Sequence, residues 1–304
     1  MTSTAAAAAD GALVIDKPSG PSSHDIVSAV RRALGGVKVG HTGTLDPLAT
    51  GVLPLLIGRA TRLARFLASA TKTYTAQVQF GWGTDTYDSA GESTGPTTPV
   101  AVDRSALERA LSGFRGTFPQ RPPAYSAKKV GGHRAYALAR AARAVTLEPV
   151  TVTVHDLRLV ALEGGTATIE VTSSAGFYVR SLAHDLGAAL GTAAHLSGLR
   201  RTRSGEFTRS LAVSFRLALE APEAALDRLV PSRALLGHLE GCRLSEEGVR
   251  WALHGRDIEP RLLLDPPPGA AGGPVRLLDP AGALVALGVV REASRALHPV
   301  VVLR

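Results

Sequence analysis

Apolar and polar positions alternate along Tyr74, Ala76, Val78, Phe80 and Trp82 against Thr75, Gln77 and Gln79. That period of two predicts a strand with one buried face. A short apolar run over residues 12–15, stopped by Pro18 and Gly20, predicts a second strand. Behind it, Ile26, Val30 and Leu34 recur every four residues, so Ser22 or Ser23 caps a helix that Gly35 and Gly36 end. Asp103 predicts the start of a short helix through Leu111, and a further helix is predicted over 133–143. Residues 150–154 and 166–172 are expected as paired strands around Gly164-Gly165. Leu182, Leu186 and Leu190 predict a helix over 179–190. The order is neither a regular β-α-β alternation nor all-β, so the expected class is α+β with a mixed sheet.

Toward the end of the chain the pattern changes. Composition shifts near residues 237–242, the proline-rich stretch 266–274 predicts a loop, and 283–290 and 300–303 predict strands. The expected division is a tail over residues 1–10, a main domain over 11–238 and a small β-rich domain over 239–304. The 304 residues are enough to bury a core without staples, and the single cysteine, Cys242, excludes a disulfide framework and a cysteine-cluster metal site. No run approaches the roughly 20 apolar residues of a membrane helix. The first ten residues carry no basic side chain, so a secretory signal is not expected and a cytoplasmic setting is.

Charge sharpens the picture. The formal net charge is +8, with 34 Lys+Arg against 26 Asp+Glu. Residues 115–143 hold Arg115, Arg121, Lys128, Lys129, Arg134, Arg140 and Arg143 and no acid. A second cluster, Arg200, Arg201, Arg203, Arg209 and Arg216, is interrupted only by Glu206. Two such clusters point to a polyanion partner, a solvated face being the alternative for either alone.

Candidate chemistry concentrates in residues 40–58, GHTGTLDPLATGVLPLLIG. The first half has no helical or strand period and is expected as a loop. Asp46 precedes Pro47, a junction that disfavours the helical region and holds Asp46 extended. Glycines at 40, 43 and 51 would let another molecule approach the backbone. The residues alone admit two readings: a reactive carboxylate on a stiff loop, or an Asp-Pro turn with its carboxylate bonded to nearby amides. Nothing near His41 has metal-ligand spacing, and there is no phosphate-binding glycine loop, dinucleotide fingerprint or His-Glu-x-x-His.

This run, together with GALVIDKPSGPSS over 11–23, resembles the TruB-type bacterial tRNA pseudouridine synthases. Further segments follow in the family's order: Lys72-Thr73-Tyr74, GWGTDTYD over 81–88, QRPPAYSAK over 120–128, GFYVRSL over 176–182 and AHLSGLRR over 194–201. The resemblance spans roughly residues 11–215, while the C-terminal part matches only loosely. It implies a pseudouridine synthase catalytic domain with a PUA-like C-terminal domain. It also implies an isomerase that converts uridine, expected at position 55 of the tRNA T-loop, to pseudouridine with no cofactor and no metal.

The resemblance also implies roles. Asp46 is the catalytic carboxylate and Arg180 the arginine that pairs with it. Tyr74, Tyr178 and Leu199 line the uracil pocket, Tyr74 also counting among the catalytic residues. His41 takes the vacated place in the base stack, and Lys17 touches RNA or supports the catalytic loop. The stretch 115–145 falls where the family carries an insertion that clamps the T-stem loop, so Arg121, Lys128, Lys129 and Arg134, with Arg200 and Arg201, are expected to bind RNA. The expected partner is tRNA alone, acted on by a monomer without a guide RNA or obligate protein. The alternatives are a guide-RNA-dependent synthase of the archaeal and eukaryotic kind, or an RNA-folding chaperone whose pocket only grips the loop.

Overall fold

The computed structural model describes residues 9–303 apart from 127, 131–132, 135–146, 267 and 270–272. Its first half runs β1 (Gly11–Lys17), α1 (Ser23–Ala33), β2 (Val39–His41), β3 (Thr50–Ile57), α2 (Ala64–Ala68), β4 (Lys72–Phe80), α3 (Arg104–Ser112), β5 (Gly116–Gln120), β6 (Lys129–Val130) and β7 (His133–Arg134). There follow β8 (Val150–Glu163), β9 (Thr166–Ser173), α4 (Val179–Ala189), β10 (Ala194–Ser204), β11 (Phe207–Thr208), β12 (Val213–Ser214), α5 (Phe215–Glu220), α6 (Pro222–Leu226) and β13 (Val230–Pro231). The last part holds β14 (Gly241–Arg243), α7 (Glu246–Leu253), β15 (Val275–Leu278), β16 (Leu284–Val290) and β17 (Leu297–Val302).

Eight strands form the spine of one mixed sheet in the order β12-β1-β3-β10-β4-β9-β8-β5. β3 and β10 run parallel, whereas β10, β4, β9, β8 and β5 are successively antiparallel. The class is α+β, and the reason is legible in each strand. β4 buries Tyr74, Ala76, Val78 and Phe80 on one face and leaves Gln77 in water on the other. β1 and β3 are apolar on both faces because both are covered. Leu13, Ile15, Leu53 and Leu55 pack with Ile26 and Val30 of α1, and with Leu182 and Leu186 of α4, in one cluster. Ala12, Val14, Val52 and Leu56 pack in another with Leu284, Leu287 and Leu303 from the C-terminal part.

That part is a four-stranded sheet, β14-β15-β16-β17. It has a small core of its own around Cys242, Leu277 and Ala286, but Leu284 and Leu287 of β16, with Leu303, close the back of β1 and β3. Arg62 Nη1 donates to the carbonyl of Val302 at 2.7 Å across this junction.

Three expectations are corrected. His133 and Arg134 form a strand paired with Lys129 and Val130, not the start of a helix, and the rest of that predicted helix lies outside the described residues. Residues 116–120, expected within the insertion, are the edge strand β5 of the main sheet. The hairpin at Gly164-Gly165 exists, but residues 150–153 pair with β5, and Thr166 to Thr172 pair instead with Glu163 back to Asp156. The apolar alternation gives period and face; it does not choose the partner strand.

Candidate active site

The loop that carries Asp46 connects β2 to β3 and is held from three sides. Asp46 and Ala49 close a turn, the Ala49 N–H donating to the Asp46 carbonyl at 3.0 Å. Ser23, at the first turn of α1 and 1 % exposed, accepts from Leu45 N at 2.8 Å and donates to Leu45 O at 3.0 Å. Its neighbour Ser22 is the helix cap, in a reciprocal box with Asp25. From beneath, Lys17 Nζ donates to the carbonyls of Pro18, Pro47 and Ala49 at 2.9, 3.1 and 2.7 Å. Of the two roles open to Lys17, the geometry supports the loop. Burial pushes this ammonium down to about 8, with Asp46 pulling upward and Arg201 downward.

Arg201 closes the third side. It is 1 % exposed, and donates from Nε to Val52 O at 2.7 Å, from Nη1 to Thr44 O at 3.4 Å and from Nη2 to Gly43 O at 3.2 Å. Expected at an RNA-binding surface, it is a strut inside the protein. The cause is its register: Arg201 sits opposite Tyr74 on β4 and Gly51 on β3, in the middle of the sheet. The rest of the second basic cluster is at the surface, Arg203 and Arg209 exposed and two others ion-paired. Arg200 is ion-paired with Asp16 at 2.8 Å and Arg216 with Glu220.

Asp46 is thereby presented to a cavity of about 300 Å³ lined by Gly43, Thr44, Tyr74, Phe177, Tyr178, Leu199 and the buried cations Lys72, Arg180 and Arg201. Arg180 lies against it, with Nε 3.0 Å from Oδ2 and Nη2 donating to Oδ1 at 3.2 Å. The other edge of the guanidinium is anchored by Asp88 Oδ2 at 3.4 Å and by the carbonyls of Thr86 and Tyr125 at 3.1 and 2.9 Å. Asp88 is 4 % exposed, and its Oδ1 accepts from Thr86 Oγ1 and Ala90 N. Arg180 is therefore a bridge between two carboxylates. Burial raises Asp46 above the ordinary carboxylate value; Arg180 opposes this, Asp88 adds to it, and Lys17 opposes it.

The motif at 120–128 straps the start of α4. Gln120 Nε2 donates to Tyr178 O at 3.0 Å while its Oε1 accepts from Tyr178 N at 2.8 Å, and Ser181 Oγ donates to Arg121 O. Tyr74 belongs to the buried strand face and lines the cavity at once. His41 ends β2 beside the cavity. Its Nδ1 accepts from Gly43 N at 3.2 Å, and burial, then Arg201 and His24, push its pKa down, so the ring is neutral near pH 7. Arg121 is exposed and Lys128 partly buried; the side chains of Lys129 and Arg134 lie outside the described residues. Among the described residues no group of histidine, cysteine, aspartate or glutamate has metal-binding geometry, and no helix is long and apolar enough to cross a membrane.

Sequence reasoning did not single out Asp88, Ser23's clamp or Gln120. All three lie in the motifs quoted above, but their partners are remote: Arg180 is 92 positions from Asp88 and Leu45 is 22 from Ser23.

The chain that places this carboxylate, buried arginine and ring-lined pocket on one sheet has relatives of known family. Residues 31–179 match the family model described as TruB family pseudouridylate synthase (N terminal domain), and 180–232 the one described as tRNA pseudouridylate synthase B C-terminal domain. The class of protein so defined is pseudouridylate synthase. A curated relative from Solibacter usitatus, named tRNA pseudouridine synthase B, is 47% identical over 296 residues, 97% of this chain and 100% of the relative. One of the same name from Burkholderia lata is 44% identical over 291 residues, 95% of this chain and 89% of the relative. The chain belongs to the TruB family. Among solved structures, a Cbf5-Nop10-Gar1 complex matches with a TM-score of 0.74 at 28% identity, covering 97% of this chain and 85% of that one.

Proposed function

We propose that this enzyme converts uridine to pseudouridine in tRNA, at position 55 of the T-loop, with Asp46 as the carboxylate that acts on an extruded nucleotide. The observation that carries the reading is the Asp46–Arg180 pair at 3.0 Å, a third of the carboxylate's surface open and facing a cavity with Tyr74, Tyr178 and Leu199 on its walls. The relatives named tRNA pseudouridine synthase B supply the substrate class.

In this mechanism the base leaves its stack at a cost of about a few kcal/mol and enters between the tyrosine rings. His41, neutral and beside the cavity, is placed to fill the gap left in the RNA stack. Arg180 keeps Asp46 ionised against the desolvation of a filled pocket, and its anchoring by Asp88 fixes the direction in which the carboxylate points. The glycosidic bond breaks, the uracil turns while held, and C5 bonds to the same sugar carbon. That sequence consumes no cofactor, in keeping with an isomerisation.

The test is a T-arm hairpin with one labelled uridine, incubated with enzyme and no other RNA or protein. The wild type is expected to form pseudouridine. Asp46→Asn is expected to form none while binding the hairpin within about 1 kcal/mol of wild type, since an exchange of oxygen for an amide leaves the cavity's shape intact. Turnover by Asp46→Asn would overturn the assignment, and a requirement for a second RNA would favour the guide-dependent reading.

A further inference from the structure

Two buried cations of the cavity have no task in the mechanism above. Lys72 is 7 % exposed and Arg201 1 %, and both line the cavity that holds Asp46 and Tyr74. A charge taken out of water is costly unless an opposite charge compensates it. Arg180 has two carboxylates for this. Lys72 and Arg201 have none among the described residues. Lys72 Nζ donates to Ala68 O at 2.6 Å and Ala70 O at 2.7 Å, leaving one of its three N–H groups. Arg201 donates to the carbonyls of Val52, Thr44 and Gly43 and has the Tyr74 side chain as a further hydrogen-bond partner, a phenol and not a carboxylate. Carbonyl oxygens satisfy donors but carry no net charge.

Around the cavity Lys17, Lys72, Arg180 and Arg201 make four positive charges against the two negative charges of Asp46 and Asp88, an excess of two. The two unpaired cations converge on one corner. A side-chain carbon built on Gly43 would lie 3.6 Å from Lys72 Cε and 3.8 Å from Arg201 Nη1. Burial, and then the Arg201 charge, push the Lys72 ammonium down to about 8. Two like charges held together in the wall of a pocket are complementary to an anion.

We propose that Lys72 and Arg201 stabilise the pyrimidine anion released when the C1′–N1 bond breaks. The inference rests on the reading that uridine enters this cavity. On cleavage the bonding pair leaves with N1, so the detached uracil carries one negative charge spread over N1, O2 and O4. C1′ is meanwhile held by the Asp46 carboxylate, or loses a proton from C2′. When C5 bonds to C1′, the pair comes from the pyrimidine and the C1′–carboxylate bond breaks, its pair returning to Asp46 as the negative charge; on the elimination route C2′ regains its proton instead. Loss of the C5 proton and protonation of N1 complete the isomer, with no atom gained or lost. The anion exists only between the two bond changes, so a positive corner acts on the intermediate and the transition states flanking it, not on bound uridine. A backbone phosphodiester is the other anion a nucleotide brings. The surroundings favour the ring: Arg201, 1 % exposed, lines the same cavity as Tyr74, Phe177, Tyr178 and Leu199.

The experiment compares uracil, neutral at pH 7, with 5-nitrouracil, an anion at that pH, as inhibitors of hairpin modification by the full chain. Wild type is expected to bind 5-nitrouracil at least about tenfold more tightly, and Lys72→Met to lose the preference. Lys72→Met is also expected to lower kcat about 100-fold with KM within about threefold, and Lys72→Arg to restore the anion preference. Lys72→Met removes an uncompensated buried charge but also the donor to the Ala68 and Ala70 carbonyls, so its urea midpoint is expected to fall. Recovery of the anion preference in Lys72→Arg separates the charge from the lost hydrogen bonds. Equal binding of the two analogues by wild type would overturn the inference. So would an unchanged kcat in Lys72→Met, or dimethyl phosphate competing as well as 5-nitrouracil, which would mark a phosphodiester subsite. Pseudouridine formation by wild type alongside any of these leaves the proposed function standing, whereas a wild type that forms none overturns both.

Discussion

At the scale of single residues, the proposed chemistry turns on how one guanidinium is shared. Arg180 touches Asp46 with one edge and Asp88 with the other, so Asp88 acts on the reacting carboxylate both by position and by charge. Its negative charge is one of the causes that raise Asp46, after burial and against Arg180. Asp46 is needed ionised, and a raised pKa means that protonation sets in at a higher pH than for an ordinary carboxylate. Activity is therefore expected to fall on the acid side above pH 3.8, the ordinary value for aspartate. Asp88→Asn removes a raising charge, so its acid limb should move to lower pH, while the loosened Arg180 lowers kcat by about 10²-fold. A kcat/KM profile against pH reads both effects; an acid limb that moves upward in the variant would contradict the account. The sequence shows Asp46 as conspicuous, stiffened by Pro47 and ringed by glycines. It does not show Asp88 as its counterpart, because the link runs through a side chain from a different element.

At the scale of elements, α1 positions the catalytic loop as well as closing a core. Its apolar face, Ile26 and Val30, docks on the sheet, and that docking carries Ser23 to the backbone of Leu45, one residue before Asp46. Ser23→Ala leaves a buried amide and carbonyl unpaired, a loss of about 1–3 kcal/mol. We expect a lower urea midpoint together with a kcat that falls more than KM rises, since the loop carries the reacting group. A variant with wild-type kcat would show that Lys17 and Arg201 alone suffice to hold the loop. The predicted helix at Ser22 or Ser23 was readable from spacing and a capping residue. Which serine caps and which clamps was not, since both are small hydroxyls at the same helix start, and the choice follows from which one faces the sheet.

At the scale of the whole molecule, the C-terminal strands are part of the support of the catalytic sheet. Val14, Val52, Leu56 and Leu63 share one apolar cluster with Leu284, Leu287 and Leu303. Truncation after Glu240 is expected to cost several kcal/mol at about 25 cal/mol per Å² of apolar surface returned to water, seen as a lower urea midpoint. An unchanged midpoint would show that β1 and β3 need no cover. The basic surface is a second property at this scale. With Arg201 internal and Arg200 paired with Asp16, the cations proposed to meet phosphates are exposed Arg121 and part-buried Lys128, with Arg203 and Arg209 also exposed. Hairpin affinity should fall with salt by a slope of about −0.7 in log K against log salt per neutralised phosphate, while single-turnover chemistry in the bound complex changes little. Titration at several salt concentrations checks it, and a flat response would place the affinity elsewhere.

By itself the sequence determined the α+β class, the buried faces of β4, α1 and α4 and the cap of α3, and it marked the loop that carries Asp46. These are local: period, capping and the Asp-Pro junction act within a few residues. The tertiary structure alone decided strand partners, the burial of Arg201 among carbonyls, the two-sided grip on Arg180 and the unpaired positive corner at Lys72. Each of those depends on contacts between segments tens of residues or more apart, where a side chain's charge or exposure is set by what the sheet brings next to it.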